Sequence, residues 1–165
     1  MLLLLPTVLV AVLASTSAPH TQPPADFTGT WTMDASRSAS AVQNEPVKSL
    51  TLVIKQSPTD LNIEFTRDGQ VQTVTYKPGS PGSVSLTTGR GAVAGSVWYW
   101  DGPRIVTEAL RDVNGTTVRH KATYALDAAG AELTVESLVV VEHGYTQRGA
   151  QNYGAGKDVF KKVAP

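Results

Sequence analysis

"LNIEFTRDGQVQTVTY", residues 61–76, is the stretch whose reading decides the fold. Leu61, Ile63 and Phe65 alternate with Asn62, Glu64 and Thr66, the period of two that marks a strand with one face on a core and the other in water. Asp68-Gly69 interrupts the run, and residues 71–76 resume as a second strand. Asp-Gly between two such segments accepts the positive φ of a tight hairpin turn.

The same writing continues on both sides. Leu50, Leu52 and Ile54 alternate with Thr51 and, less cleanly, Val53. Val118, Ala122, Tyr124 and Leu126 share a face opposed by Arg119, Lys121 and Thr123, and Leu133, Val135, Val139 and Val141 oppose Thr134 and Glu136. Asp101-Gly102 separates residues 93–100 from 104–110, Asn114-Gly115 separates that run from 116–126, and residues 127–130 lead into 132–141. Eight or nine strands in consecutive hairpins, with no long helix, predict an all-β domain: a single up-and-down antiparallel β-barrel, since closure removes the open edges. A two-sheet sandwich would use the same alternation, and pairing of the first strand with the last distinguishes the two.

Three segments break the rhythm. Residues 35–46 read as a polar connection with room for a short helix, and residues 77–91 as a loose glycine-rich stretch with room for a short strand at 83–86. Residues 142–156 lack an apolar face and read as a loop before a last strand at 157–163.

The folded part opens with "FTGTWTMD", residues 27–34. In a closed barrel the first strand begins at the closed end. Trp31 there can plug the end, while Gly29 lets a neighbouring chain approach its backbone. With "DFTGTWTMDASRS", the chain carries "PVKSLTLVIKQ", "WDGPRIVTE", "LTVES" and "DVFKKV" in that order, from Asp26 to Val163. In these features it resembles a group of bacterial secreted lipocalin-like domains. The resemblance implies a small antiparallel barrel exported to the periplasm or beyond, and brings no particular activity with it. Beyond Gly29 and Trp31 there is no clear second or third lipocalin motif.

Residues 1–18 are uncharged, rich in Leu and Val, and close on small side chains. They read as a secretory signal peptide cleaved after Ala14 or Ala18, although no Lys or Arg precedes the apolar run. Residues 19–26 read as a flexible proline-rich tether and residues 27–165 as the barrel domain. The expected location is secreted or periplasmic. The chain has no cysteine, so no disulfide framework can form, which suits a bacterial periplasmic protein. Lys plus Arg and Asp plus Glu balance at 14 each, which argues against a nucleic-acid partner. No second apolar run is long enough to span a membrane, so no membrane span is expected in the mature protein.

Chemistry is sparse. The histidines are His20, His120 and His143, without the spacing of a zinc site, so neither metal nor cofactor is expected. No nucleophile elbow is present, and Gly89, Gly91 and Gly95 lack a phosphate-binding fingerprint. Glu108 and Glu136 fall on outward strand positions and read as a solvated face. The expectation is a non-enzyme with no catalytic residues. The best binding candidate is "SVWYW", residues 96–100, which puts Trp98 and Trp100 on one face. With His120 and Tyr124 across a hairpin, these rings could line a pocket for a small hydrophobic or amphipathic ligand. The competing reading is a filled barrel acting as a structural or protein-interaction module, its protein partner unknown, through its outer surface or residues 145–153.

Overall fold

Alternating residues become strands along the whole domain in the computed structural model, which describes residues 25–41, 47–84, 95–113, 116–143 and 153–164. The strands are β1 (Gly29–Met33), β2 (Leu50–Gln56), β3 (Leu61–Arg67), β4 (Gln70–Pro78), β5 (Ser96–Asp101), β6 (Arg104–Val113), β7 (Thr116–Leu126), β8 (Glu132–His143) and β9 (Tyr153–Lys162). One 3₁₀ turn, Ala35–Arg37, sits in the connection expected to hold a short helix. Each strand pairs with the next, and β1 closes on β9 through Trp31↔Lys162 and Met33↔Phe160. The nine strands therefore form a closed barrel, not a sandwich.

Turn chemistry sets the hairpins. Asp68 and Gly69 both take positive φ (46° and 84°) between β3 and β4, the requirement of a type I′ turn. Gly102 (φ 60°) precedes Pro103, whose ring fixes a negative φ, and the pair reverses the chain between Asp101 and Arg104. The Asn114-Gly115 turn lies outside the described residues, but its flanks Val113 and Thr116 are paired.

One seam departs from the meander. β4 and β5 run parallel, over Lys77↔Val97 and Pro78↔Trp98 only. Parity demands such a seam: antiparallel neighbours reverse direction, and a closed ring must contain an even number of reversals. Nine strands with β1 antiparallel to β9 thus need one parallel step. Parallel neighbours need a long crossover, and β5 begins at Ser96, well after β4 ends at Pro78. Of the short strand expected at 83–86, Ser83 and Val84 are not in a strand and residues 85–86 lie outside the described residues; Val84 packs against Leu110 and Val97 on the outside of the wall.

The expected loop at 142–156 is shorter than the sequence implied. Glu142 and His143 finish β8, and residues 153–156 already belong to β9, where Gly154, Ala155 and Gly156 pair with Val139, Leu138 and Ser137. Small residues hid this strand by leaving no apolar alternation to read. Residues 1–24, which hold the expected leader, His20 and most of the tether, lie outside the described residues. Ala25, the next residue, packs against the core.

Inward residues divide the barrel into two halves. In the half where β1 begins, Phe27, Trp31, Ile54, Trp98, Ile105 and Leu133 form a continuous core. The other half, near the β3–β4 turn and the last residues of β6, is not filled by the described residues.

Candidate functional site

A cavity of about 610 Å3 occupies that second half. Its apolar wall comes from Leu52, Phe65, Ala122, Val135 and Phe160, inward positions of β2, β3, β7, β8 and β9. Its polar groups include Tyr76, Tyr124, His120, Gln72, Arg111 and Asp158. The volume falls in the range of about 300–1,000 Å3 typical of small-molecule sites.

Tyr124 is buried and Tyr76 nearly so. Burial raises both phenols above their ordinary range, Tyr124 further through its neighbour Tyr76. The Thr107 hydroxyl lies near both rings, on the residue paired with Ala122 of the cavity wall. Thr107 is fully buried, and its oxygen lacks a hydrogen bond. His120 lies further along β7 towards the open half, paired with Ala109. Burial lowers its pKa, and the positive charge of Arg111 lowers it further.

Arg111 belongs to the inward-facing set of β6 with Ile105, Thr107 and Ala109, and it is exposed at the cavity rim. With the Gln72 carbonyl oxygen turned towards it, the guanidinium donates at 3.0 and 3.2 Å. This contact crosses the parallel seam. β5 reaches β4 only at residues 77 and 78, so among the described residues the earlier part of β4 pairs with β3 alone. Gln72 and Arg111 bridge that interval side chain to side chain. No carboxylate pairs with Arg111 among the described residues. Asp158, on β9, is buried and accepts from the Ser40 hydroxyl at 2.7 Å. Ser40 is held there because Ala39 bridges to Lys157. This crossing brings the chain so near Gly156 that a Cβ would lie 2.1 Å from the Ala41 nitrogen. Only glycine fits.

Of the four residues considered together from the sequence, the structure brings His120 and Tyr124 to the cavity and leaves Trp98 and Trp100 elsewhere. The indoles do face inward, but on β5 beside the β5–β6 turn, at the packed end. They meet edge to face at 5.9 Å, and Trp100 lies 6.2 Å from Phe27. Trp31 is fully buried in the same layer, and its indole N–H donates to the Phe27 carbonyl at 3.0 Å. The Lys162 ammonium stands 5.1 Å from the Trp31 ring centre, within reach of a cation–π contact. Gly29, with φ 146°, takes a conformation that side chains rarely adopt.

Glu108 corrects a second expectation. It points outward, as its strand position implied, but it is only 3% exposed rather than solvated. The Tyr99 hydroxyl donates to it at 2.6 Å and Arg119 at 3.0 Å, with the Lys121 ammonium 3.8 Å away. Burial, and then this bond, push the Tyr99 phenol up to about 12. Glu136, by contrast, is exposed. Among the described residues, no three metal-ligating side chains converge, and no helix is long and apolar enough to cross a membrane.

No protein-family model matches the chain, and no curated protein matches it. Solved structures do resemble it. Human cRBP IV is 18% identical with a TM-score of 0.49, covering 85% of this chain and 100% of its own. A mutant of the fluorescent protein UnaG is 14% identical with a TM-score of 0.49, covering 84% and 97%. A mutant of the fatty acid transporter REP1-NXSQ is 12% identical with a TM-score of 0.47, covering 83% and 98%.

Proposed function

We propose that this barrel is a non-enzymatic, exported protein that binds one small amphipathic molecule inside its cavity. The observation that carries the reading is the division of the interior. One half is packed with aromatic rings. The other holds about 610 Å3 between an apolar wall and a polar rim. A filled barrel would have placed side chains in that space, as small barrels commonly do. Apolar walls with a few oriented polar groups are the usual composition of a ligand pocket. Export rests on the uncharged leader in residues 1–18.

Native mass spectrometry of protein isolated from a periplasmic expression host, with a lipid extract of that host added back, tests the reading. A stoichiometric extra mass of a few hundred daltons, lost on denaturation and absent from an Ala122→Trp variant, is the expected result. Retention of the same mass by that variant would place the molecule outside the cavity and sink the proposal.

A further inference from the structure

We infer that the Gln72–Arg111 seam receives the anionic head of the bound amphiphile, with the apolar tail directed towards the tryptophan-filled end. This inference rests on the cavity reading and assigns the ligand's class and orientation. Three observations carry it. Arg111 is a cavity-lining guanidinium with no carboxylate partner among the described residues; with the Gln72 amide turned to present its oxygen, the guanidinium donates to that neutral group. A guanidinium presents several donors in a planar fork that fits carboxylate, phosphate or sulfate oxygens, and exchanging an amide partner for an anion strengthens the bond. Its position is the second. Arg111 pairs with Val118 next to the end of β6 and is exposed, whereas Phe160, Tyr124 and Leu52 lie deeper and are nearly fully buried. The third is the carboxylate that shares the cavity. Asp158, on β9, is engaged by Ser40, and β9 is separated from β6 around the wall by β7 and β8. A head at the rim meets positive charge, and a tail at depth meets Leu52, Phe65, Ala122 and Phe160.

The tryptophans supply the test of orientation. The chain has three, and all belong to the packed core: Trp31, Trp98 and Trp100. Bromine quenches tryptophan fluorescence only at close range. Dodecanoate, dodecanol, 2-bromododecanoate and 12-bromododecanoate would be titrated into the full-length mature protein and into Arg111→Gln and Arg111→Lys variants. The expected result is dodecanoate binding about tenfold or more tighter than dodecanol, the scale of a charge-assisted contact. Arg111→Gln should bring the two ligands to parity, and Arg111→Lys should retain part of the preference. The 12-bromo compound should quench and the 2-bromo compound should not.

Equal affinity for acid and alcohol in the unaltered protein would overturn the assignment while leaving the cavity as a binding site. Retention of the acid preference by Arg111→Gln would also overturn it, as would stronger quenching by the 2-bromo compound. Should neither dodecanoate nor dodecanol bind, both the head assignment and the cavity reading fall. Arg111 is exposed, so its replacement should leave the thermal midpoint nearly unchanged. The lysine variant keeps the preference measurable if the glutamine variant does not fold.

Discussion

The indole nitrogen of Trp31 donates to the carbonyl oxygen of Phe27 at 3.0 Å, tying the first residues of the domain to the ring that plugs the barrel. Both residues are fully buried. The tryptophan sits so near the start of the domain because β1 begins at the closed end, and the chain leading into it must be fastened there. Trp31→Ala should lower stability by about 3–5 kcal/mol, the usual cost of emptying a large aromatic site. Trp31→Phe should cost less. Urea unfolding of the two variants checks both.

Gly29 is demanded by backbone conformation more than by space. A Cβ there would approach Lys162 Cε to 2.9 Å, but that atom ends a flexible side chain. The φ of 146° is the harder constraint. Gly29→Ala should cost about 1–3 kcal/mol, and adding Lys162→Ala should not restore it. Full restoration in the double variant would show that crowding, not the backbone, is the cause.

Much of this fold was legible in the sequence because hairpin chemistry is local. Asp68-Gly69 announced its turn, and the two positive φ values confirm the reason. The start of β9 was hidden, since Gly156 is small to let residues 39–41 cross it, a requirement set by distant chain. The parallel seam was hidden too: hairpin signals say nothing of the parity of a closed ring. The site divided along the same line. Alternation gave the faces of Trp98, Trp100, His120 and Tyr124, but not their heights along the barrel axis. Arg111 and Gln72 were overlooked because a polar side chain facing inward breaks the alternation that identifies inward faces.

Height along the barrel has a measurable consequence. Ala122 is a cavity-wall residue that is 1% exposed, so Ala122→Trp should fill the space and weaken amphiphile binding at least about tenfold. Trp98→Phe should lower stability yet leave affinity within about twofold, because Trp98 does not reach the cavity wall. Calorimetric titration of both variants separates pocket residues from plug residues.

Protonation of His120 should destabilise the fold. Burial first, and then Arg111, depress its pKa from the ordinary 6.5. The unfolded chain therefore takes up the proton at higher pH than the folded one. The contribution of the neutral ring is fully present above 6.5 and is lost as pH falls through the depressed folded value. Between about pH 7 and pH 5, the unaltered protein should lose more stability than His120→Gln. Parallel slopes for the two proteins would show that the ring titrates without a shift.

The buried carboxylate on the outer wall is structural. Glu108→Ala removes the acceptor of the Tyr99 hydroxyl and one ion-pair partner of Arg119, whose side chain is 25% exposed. A loss of about 1–3 kcal/mol is expected, with ligand affinity unchanged because the residue faces away from the cavity. Thermal unfolding and a binding titration on the same sample check the two halves of that statement.

The most direct test of the central claim is calorimetric titration of dodecanoate into the unaltered protein and into Ala122→Trp. Occupancy of the cavity predicts a single site in the unaltered protein and its loss in a variant that remains folded. Absence of binding to the unaltered protein, or equal binding to both, would contradict it.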